Sequence, residues 1–102
     1  DDQVQIDYGI YGNNLIKTST VDKLAREGML FTNAYTTQAI CAPTRSMLYT
    51  GLYPMKNGCM ANHLPVKQGI KDVNDFFNEL GYEVVLAGKG HVKPNSVFNW
   101  SK

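Results

Sequence analysis

An α/β layered architecture is predicted, on three features of the sequence. Its elements alternate in the order helix, strand, helix, helix, strand. The last strand, Tyr82 to Ala87, is short and apolar enough to lie inside a sheet. Glycines and prolines punctuate the chain at the ends of the periodic segments.

The elements follow in order. Residues 3–18 are rich in Gly and Asn and read as a loop. A helix starts near Ser19, which stands as N-cap with Asp22 three residues on, a variant of the capping box. Val21, Leu24 and Ala25 give it an apolar stripe, and Gly28 serves as its C-cap. Met29 to Tyr35, rich in aromatics, reads as a strand. After the loop Thr36 to Cys41, Pro43 sits where a first helical turn favours proline. Thr44 to Thr50 continues that helix and Gly51 ends it. Leu52 to Gly69 is irregular, with Pro54, Gly58, Pro65 and Gly69. Asp72 caps a further helix whose Val73, Phe76, Phe77 and Leu80 form an amphipathic stripe, and Gly81 closes it. Gly88 breaks the strand Tyr82 to Ala87. In layered α/β folds ligand sites lie at the carboxyl ends of strands. Cys41 and the turn Gly88-Lys89-Gly90-His91 both follow predicted strands, so they are expected to meet there.

Composition narrows the function. Lys and Arg number 10 against 9 Asp and Glu, a formal charge of +1. That balance gives no basic surface for nucleic acid or an anionic membrane. No apolar run approaches the roughly 18 residues needed to span a bilayer. The 102 residues open at Asp1-Asp2-Gln3 and close at Asn99-Trp100-Ser101-Lys102, and both ends read as cut out of something longer. Of the two cysteines, Cys59 reads as a buried thiol.

Cys41 stands in a different setting. A thiol at a helix start faces unpaired backbone N–H groups and the positive end of the helix dipole. Such a place lowers a thiol pKa and also binds oxyanions. Arg45, one turn on, adds a fixed charge with a planar donor fork. The arrangement suits a nucleophile facing a sulfate or phosphate group. It suits equally a small buried residue that caps a helix.

The wider pattern separates these two. Cys41-Ala42-Pro43-Thr44-Arg45-Ser46-Met47-Leu48-Tyr49-Thr50-Gly51 resembles the signature of formylglycine-dependent sulfatases, C-x-P-[ST]-R-x-x-L-x-T-G. All six fixed positions and the one restricted position agree, with Thr44 where Ser is more usual. Asp1-Asp2 resembles the acid pair that ends the first strand in that family. Val21 to Tyr35 resembles the helix and strand that follow it, and Leu52-Tyr53-Pro54 the segment after the signature. Gly88-Lys89-Gly90-His91 resembles the family motif G-K-x-H. Gly88 to Pro94 and the pair Asn62-His63 look closest to sulfamidases and heparan-type sulfatases.

The resemblance implies a partial alkaline-phosphatase-like sandwich with a mostly parallel sheet and flanking helices. It implies that Cys41 is oxidised to formylglycine by a separate maturation enzyme. The hydrated aldehyde would attack sulfur with one hydroxyl and expel sulfate with the other. Asp1, Asp2 and the modified Cys41 would bind one divalent cation, usually calcium, which takes oxygen ligands. Arg45 would stabilise the formylglycine and the metal site. Lys89 would contact a sulfate oxygen, His91 would hydrogen-bond the diol and shuttle its proton, and His63 would contact substrate. The remaining metal ligands would lie beyond Lys102, so the isolated segment is expected to be inactive. Sulfated carbohydrate is the implied substrate, and the implied compartment is periplasmic, secreted or lysosomal. Two readings compete: a phosphonate or phosphate monoester hydrolase with the same Cys-derived nucleophile, and a truncated, non-catalytic glycan-binding remnant.

Overall fold

The structure is a computed structural model that describes residues 3–101. The acid pair Asp1 and Asp2 lies outside the described residues. The chain divides into two compact units, Asp1–Tyr35 and Thr36–Lys102.

In the first unit two short 3-10 turns, Gln5–Asp7 and Gly9–Tyr11, precede helix α1, Ser19–Glu27. The loop expected over residues 3–18 is thus partly ordered into turns. Thr18, not Ser19, is the N-cap residue of α1. Asp22 does not close a capping box with Ser19. Its carboxylate accepts from Ile10 N at 2.8 Å and Thr18 Oγ1 at 2.9 Å, and Gly9 N donates to Thr18 Oγ1 at 2.8 Å. The first turn of α1 is therefore tied to a segment a dozen residues back. A Cβ on Gly9 would stand 2.6 Å from Asp22 Oδ2, so a side chain there would push that carboxylate aside. Gly28 follows α1 as expected and donates to Leu24 O at 2.9 Å.

The strand expected over Met29 to Tyr35 is not formed. A strand persists only when its peptide groups meet those of a neighbour, and none lies beside it among the described residues. Side chains take that place: Tyr11 Oη donates to Phe31 O at 2.6 Å and Gln5 Nε2 to Thr32 O at 3.2 Å. Tyr35 stays 92% exposed.

The second unit holds α2, Cys41–Thr50, a short helix α3, Pro54–Asn57, and α4, Val73–Glu79. Its apolar core is Ala42, Cys59, Val66, Val97 and Phe98, with Tyr49, Ile70, Val92 and Trp100 packed against it. Both cysteines are free thiols, and Cys59 is buried as expected. Helix α2 starts two residues before Pro43 and ends at Gly51 in the left-handed region, φ 67°. It buries Ala42 and Pro43 beside the polar face of Ser46 and Thr50.

That polar face is satisfied by Asn57, which is 0% exposed. Asn57 Nδ2 donates to Ser46 Oγ, Thr50 Oγ1 and Leu52 O at 3.1, 3.4 and 3.0 Å. Its Oδ1 accepts from Cys59 N at 2.8 Å. Asn57→Ala removes the partner of Leu52 O and of Cys59 N and opens a buried void, while the Ser46 and Thr50 hydroxyls keep their bonds to Pro43 O and Ser46 O. The expected loss is about 2–4 kcal/mol of stability, read as a fall in the thermal midpoint of the intact protein.

Helix α4 starts as its sequence dictates. Asp72 is fully buried, and its carboxylate accepts from Asn74 N at 3.0 Å and Asp75 N at 3.3 Å. Asp75 Oδ2 accepts in return from Asp72 N at 2.9 Å, a reciprocal capping box. The amphipathic stripe of α4 is not covered: Phe76 is 50%, Phe77 45% and Leu80 73% exposed. The strand expected over Tyr82 to Ala87 is reduced to a single parallel bridge, Val85 with Ser101, carried by Ser101 N to Val84 O at 3.1 Å. The expected parallel sheet is therefore not formed among the described residues. No helix among them is long and apolar enough to cross a membrane.

Candidate active site

Five sequence-predicted residues lie in the second unit. Cys41 is the first residue of α2 and is half-buried. Ile40 before it is extended, φ −147°, which turns the chain sharply into the helix. Thr44 N closes the first turn on Ile40 O at 3.1 Å. The start of α2 offers fewer open donors than the sequence alone implies. Pro43 carries no N–H, and Ala42 N donates to Asn62 Oδ1 at 2.9 Å.

The second half of the site comes from the turn after Ala87. Gly88, at φ 96°, makes a reversal that a side chain would strain. Lys89 follows, and its Nζ reaches Cys41 Sγ at 3.9 Å. Arg45, one turn along α2, donates from Nη1 to the backbone carbonyl of Lys89 at 2.5 Å. The guanidinium thus fixes the main chain that presents the lysine, a role its sequence position does not reveal. Val66 N donates to Lys93 O at 2.8 Å and ties this turn to the loop after α3.

His63 and His91 meet across those two loops, with ring centroids 5.5 Å apart at 62°. They are also the non-glycine residues with positive φ among the described residues, 70° for His63 and 54° for His91. Such backbone costs of order 1–3 kcal/mol per residue and tends to cluster at functional sites. His91 Nδ1 is buried with no hydrogen-bond partner among the described residues. Desolvation, then the charge of Lys89, then His63, Arg45 and Lys93, hold the His91 imidazole below its usual range.

The sign of that shift sets a pH dependence. The unfolded chain binds a proton at His91 more readily than the native state does. Stability at this residue is therefore complete above the ordinary value of 6.5. It is lost as pH falls through the lower native value. His91→Gln is expected to flatten that acid-side decline in a thermal-midpoint series against pH; an unchanged slope would contradict it.

Among the described residues no three His, Cys, Asp or Glu side chains cluster to hold a metal. The contact described at Cys41 Sγ is the cationic Lys89 Nζ, whereas calcium takes six to eight oxygens. Asp1 and Asp2, the acid pair expected to hold calcium, lie outside the described residues.

A cysteine at a helix start, a lysine on its sulfur, an arginine on that lysine's carbonyl and a pair of packed histidines thus stand in the second unit. The sulfatase family profile matches residues 1–100, and the chain belongs to the sulfatase family. It is 59% identical over its whole length to an ulvan-active sulfatase of Formosa agariphila, of which it covers 20%. It is 34% identical over 88% of its length to human N-sulphoglucosamine sulphohydrolase, covering 19% of that protein. Against an N-acetylglucosamine-6-O-sulfatase of Bacteroides thetaiotaomicron the identity is 30% over 99% of the chain and 18% of the relative. The chain thus spans about a fifth of the length of the curated relatives it matches. The family implies an alkaline-phosphatase-like α/β fold.

Sequence reasoning missed Asn57, and it named Asn62 only within the pair Asn62-His63, without its hold on α2. Asn57 buries the polar face of α2, and Asn62 takes the Ala42 N–H; both act across loops. A local pattern cannot show either partner.

Proposed function

We propose that the full-length protein carrying this segment is a sulfuric ester or sulfamate hydrolase acting on sulfated sugars. The observation that carries the reading is the convergence of Lys89 Nζ on Cys41 Sγ, with Arg45 holding the Lys89 carbonyl. Cys41, oxidised to formylglycine by a maturation enzyme, supplies a hydrated aldehyde whose hydroxyl is the nucleophile toward sulfur. A divalent cation, calcium in this reading, is held by Asp1, Asp2 and the modified Cys41 with further ligands downstream. The mostly parallel sheet forms with the rest of the domain, which covers the exposed stripes of α1 and α4. The compartment is periplasmic, secreted or lysosomal.

The residues of this chain have distinct parts. Lys89 holds a sulfate oxygen as a point charge and offsets charge gathering there as the sulfur–oxygen bond breaks. Arg45 keeps Lys89 aimed by gripping its carbonyl. His91 is held neutral and takes and returns a proton at the nucleophile. His63, exposed and packed on His91, meets the sugar. Overall one water is consumed, and the ester yields an alcohol and sulfate.

Sulfated sugars are the substrate class because the relatives' names specify ulvan, N-acetylglucosamine and N-sulphoglucosamine. The test is sulfate release by the full-length protein from ulvan and from sulfated glucosamines, beside an aryl phosphonate. Sulfate release faster than phosphonate cleavage supports the reading. Faster phosphonate cleavage moves the assignment to phosphonate hydrolysis, and no turnover of any of them sinks it.

A further inference from the structure

We infer that Asn62 is a positioning residue for the nucleophile, acting through the first turn of α2. The inference rests on the hydrolase reading above. Asn62 stands in the loop between α3 and α4, 20 residues from Ala42, and its Oδ1 accepts the Ala42 N–H at 2.9 Å. That N–H belongs to the residue next to Cys41 and has no partner within the helix itself. Pro43 brings no N–H to the first turn. The end of α2 that carries the nucleophile is thus fastened from outside by Asn62.

The fastening joins the two halves of the site. Residue 63, directly after Asn62, is forced to φ 70° and sets its ring against His91. The dipeptide Asn62-His63 therefore grips the helix of Cys41 on one side and meets the Lys89-His91 turn on the other. The loop behind it is firm: Asn57 is fully buried, and Cys59 Sγ donates to Leu64 O at 3.1 Å. Releasing the Ala42 N–H leaves the loop anchored and frees the start of α2. Cys41 then drifts relative to Lys89, and drift of that kind lowers kcat with little effect on substrate affinity.

The test uses the full-length protein with Asn62→Ala and Asn62→Asp. Aspartate keeps an acceptor oxygen for Ala42 N, and its charge suits a helix N-terminus. Asn62→Ala is expected to lower kcat by about tenfold to a hundredfold at unchanged KM. The aldehyde content at residue 41 should equal that of the unaltered protein. Asn62→Asp is expected to recover most of kcat while raising KM, since a carboxylate there repels an anionic substrate. Deuterium exchange of a peptide spanning Ala42 should quicken in Asn62→Ala and return toward normal in Asn62→Asp. A rise in KM alone for Asn62→Ala, or exchange at Ala42 unchanged, overturns the positioning role. Failure of the hydrolase reading shows separately, as no sulfate release from the unaltered protein, and exchange then decides the anchor by itself.

Discussion

Cys41→Ala in the full-length protein is expected to remove sulfate release, by at least about a thousandfold, while the fold survives. Loss of a covalent nucleophile commonly costs that much or more, because the residual rate comes from binding and charge stabilisation alone. Packing around residue 41 favours a folded variant. Cys41 is half-buried and lies outside the apolar core, which takes its neighbour Ala42 instead. Alanine is a better helix former than cysteine, so α2 should start as before. The variant should still bind sulfated saccharide, since Lys89 and Arg45 are untouched. Activity within tenfold of the unaltered protein would remove Cys41 from the chemistry.

The second large effect is expected at Lys89. Lys89→Ala should lower kcat by about a hundredfold to a thousandfold, the range for losing one charge-stabilising donor. The side chain is exposed, and its ammonium stands 3.9 Å from the sulfur of Cys41. Nothing in the apolar core depends on it, so stability should hardly move. Arg45→Lys makes a useful contrast. It keeps a cation on α2 and loses the planar fork that grips the Lys89 carbonyl. A smaller fall in kcat is expected there, because Lys89 remains and is only less well aimed. If Lys89→Ala changed KM alone, the lysine would serve binding and not the bond-breaking step.

Local signals and long-range ones fared differently. The helices with their own punctuation were legible. Asp72 caps α4 through a reciprocal box with Asp75, three residues away. Gly51 ends α2 in the left-handed conformation that glycine favours. Cys41 and the Lys89-His91 turn do meet as expected, but not for the expected reason, since neither of the strands they were to follow is formed among the described residues. The strands were not legible, since pairing is a property of two segments, and Met29 to Tyr35 finds no neighbour among the described residues. The N-cap of α1 shifted from Ser19 to Thr18 because Asp22 bonds Ile10 N, a contact that local spacing does not encode. The buried face of α2 is polar for a similar reason. Ser46 and Thr50 go inside because their hydroxyls bond Pro43 O and Ser46 O within the helix and accept from Asn57 beyond it. Arg45 was legible as a fixed charge with a planar donor fork; the bond of that fork to Lys89 O depends on a fold that brings residues 45 and 89 together.

The central claim is that Cys41 becomes the nucleophile of a sulfatase. Peptide mapping by mass spectrometry of the protein made in its own host tests it most directly. The tryptic peptide from Glu27 to Arg45 carries residue 41. The predicted result is that this peptide bears an aldehyde in place of the thiol. An unmodified Cys41 thiol, in protein that nonetheless releases sulfate from its substrate, would contradict it.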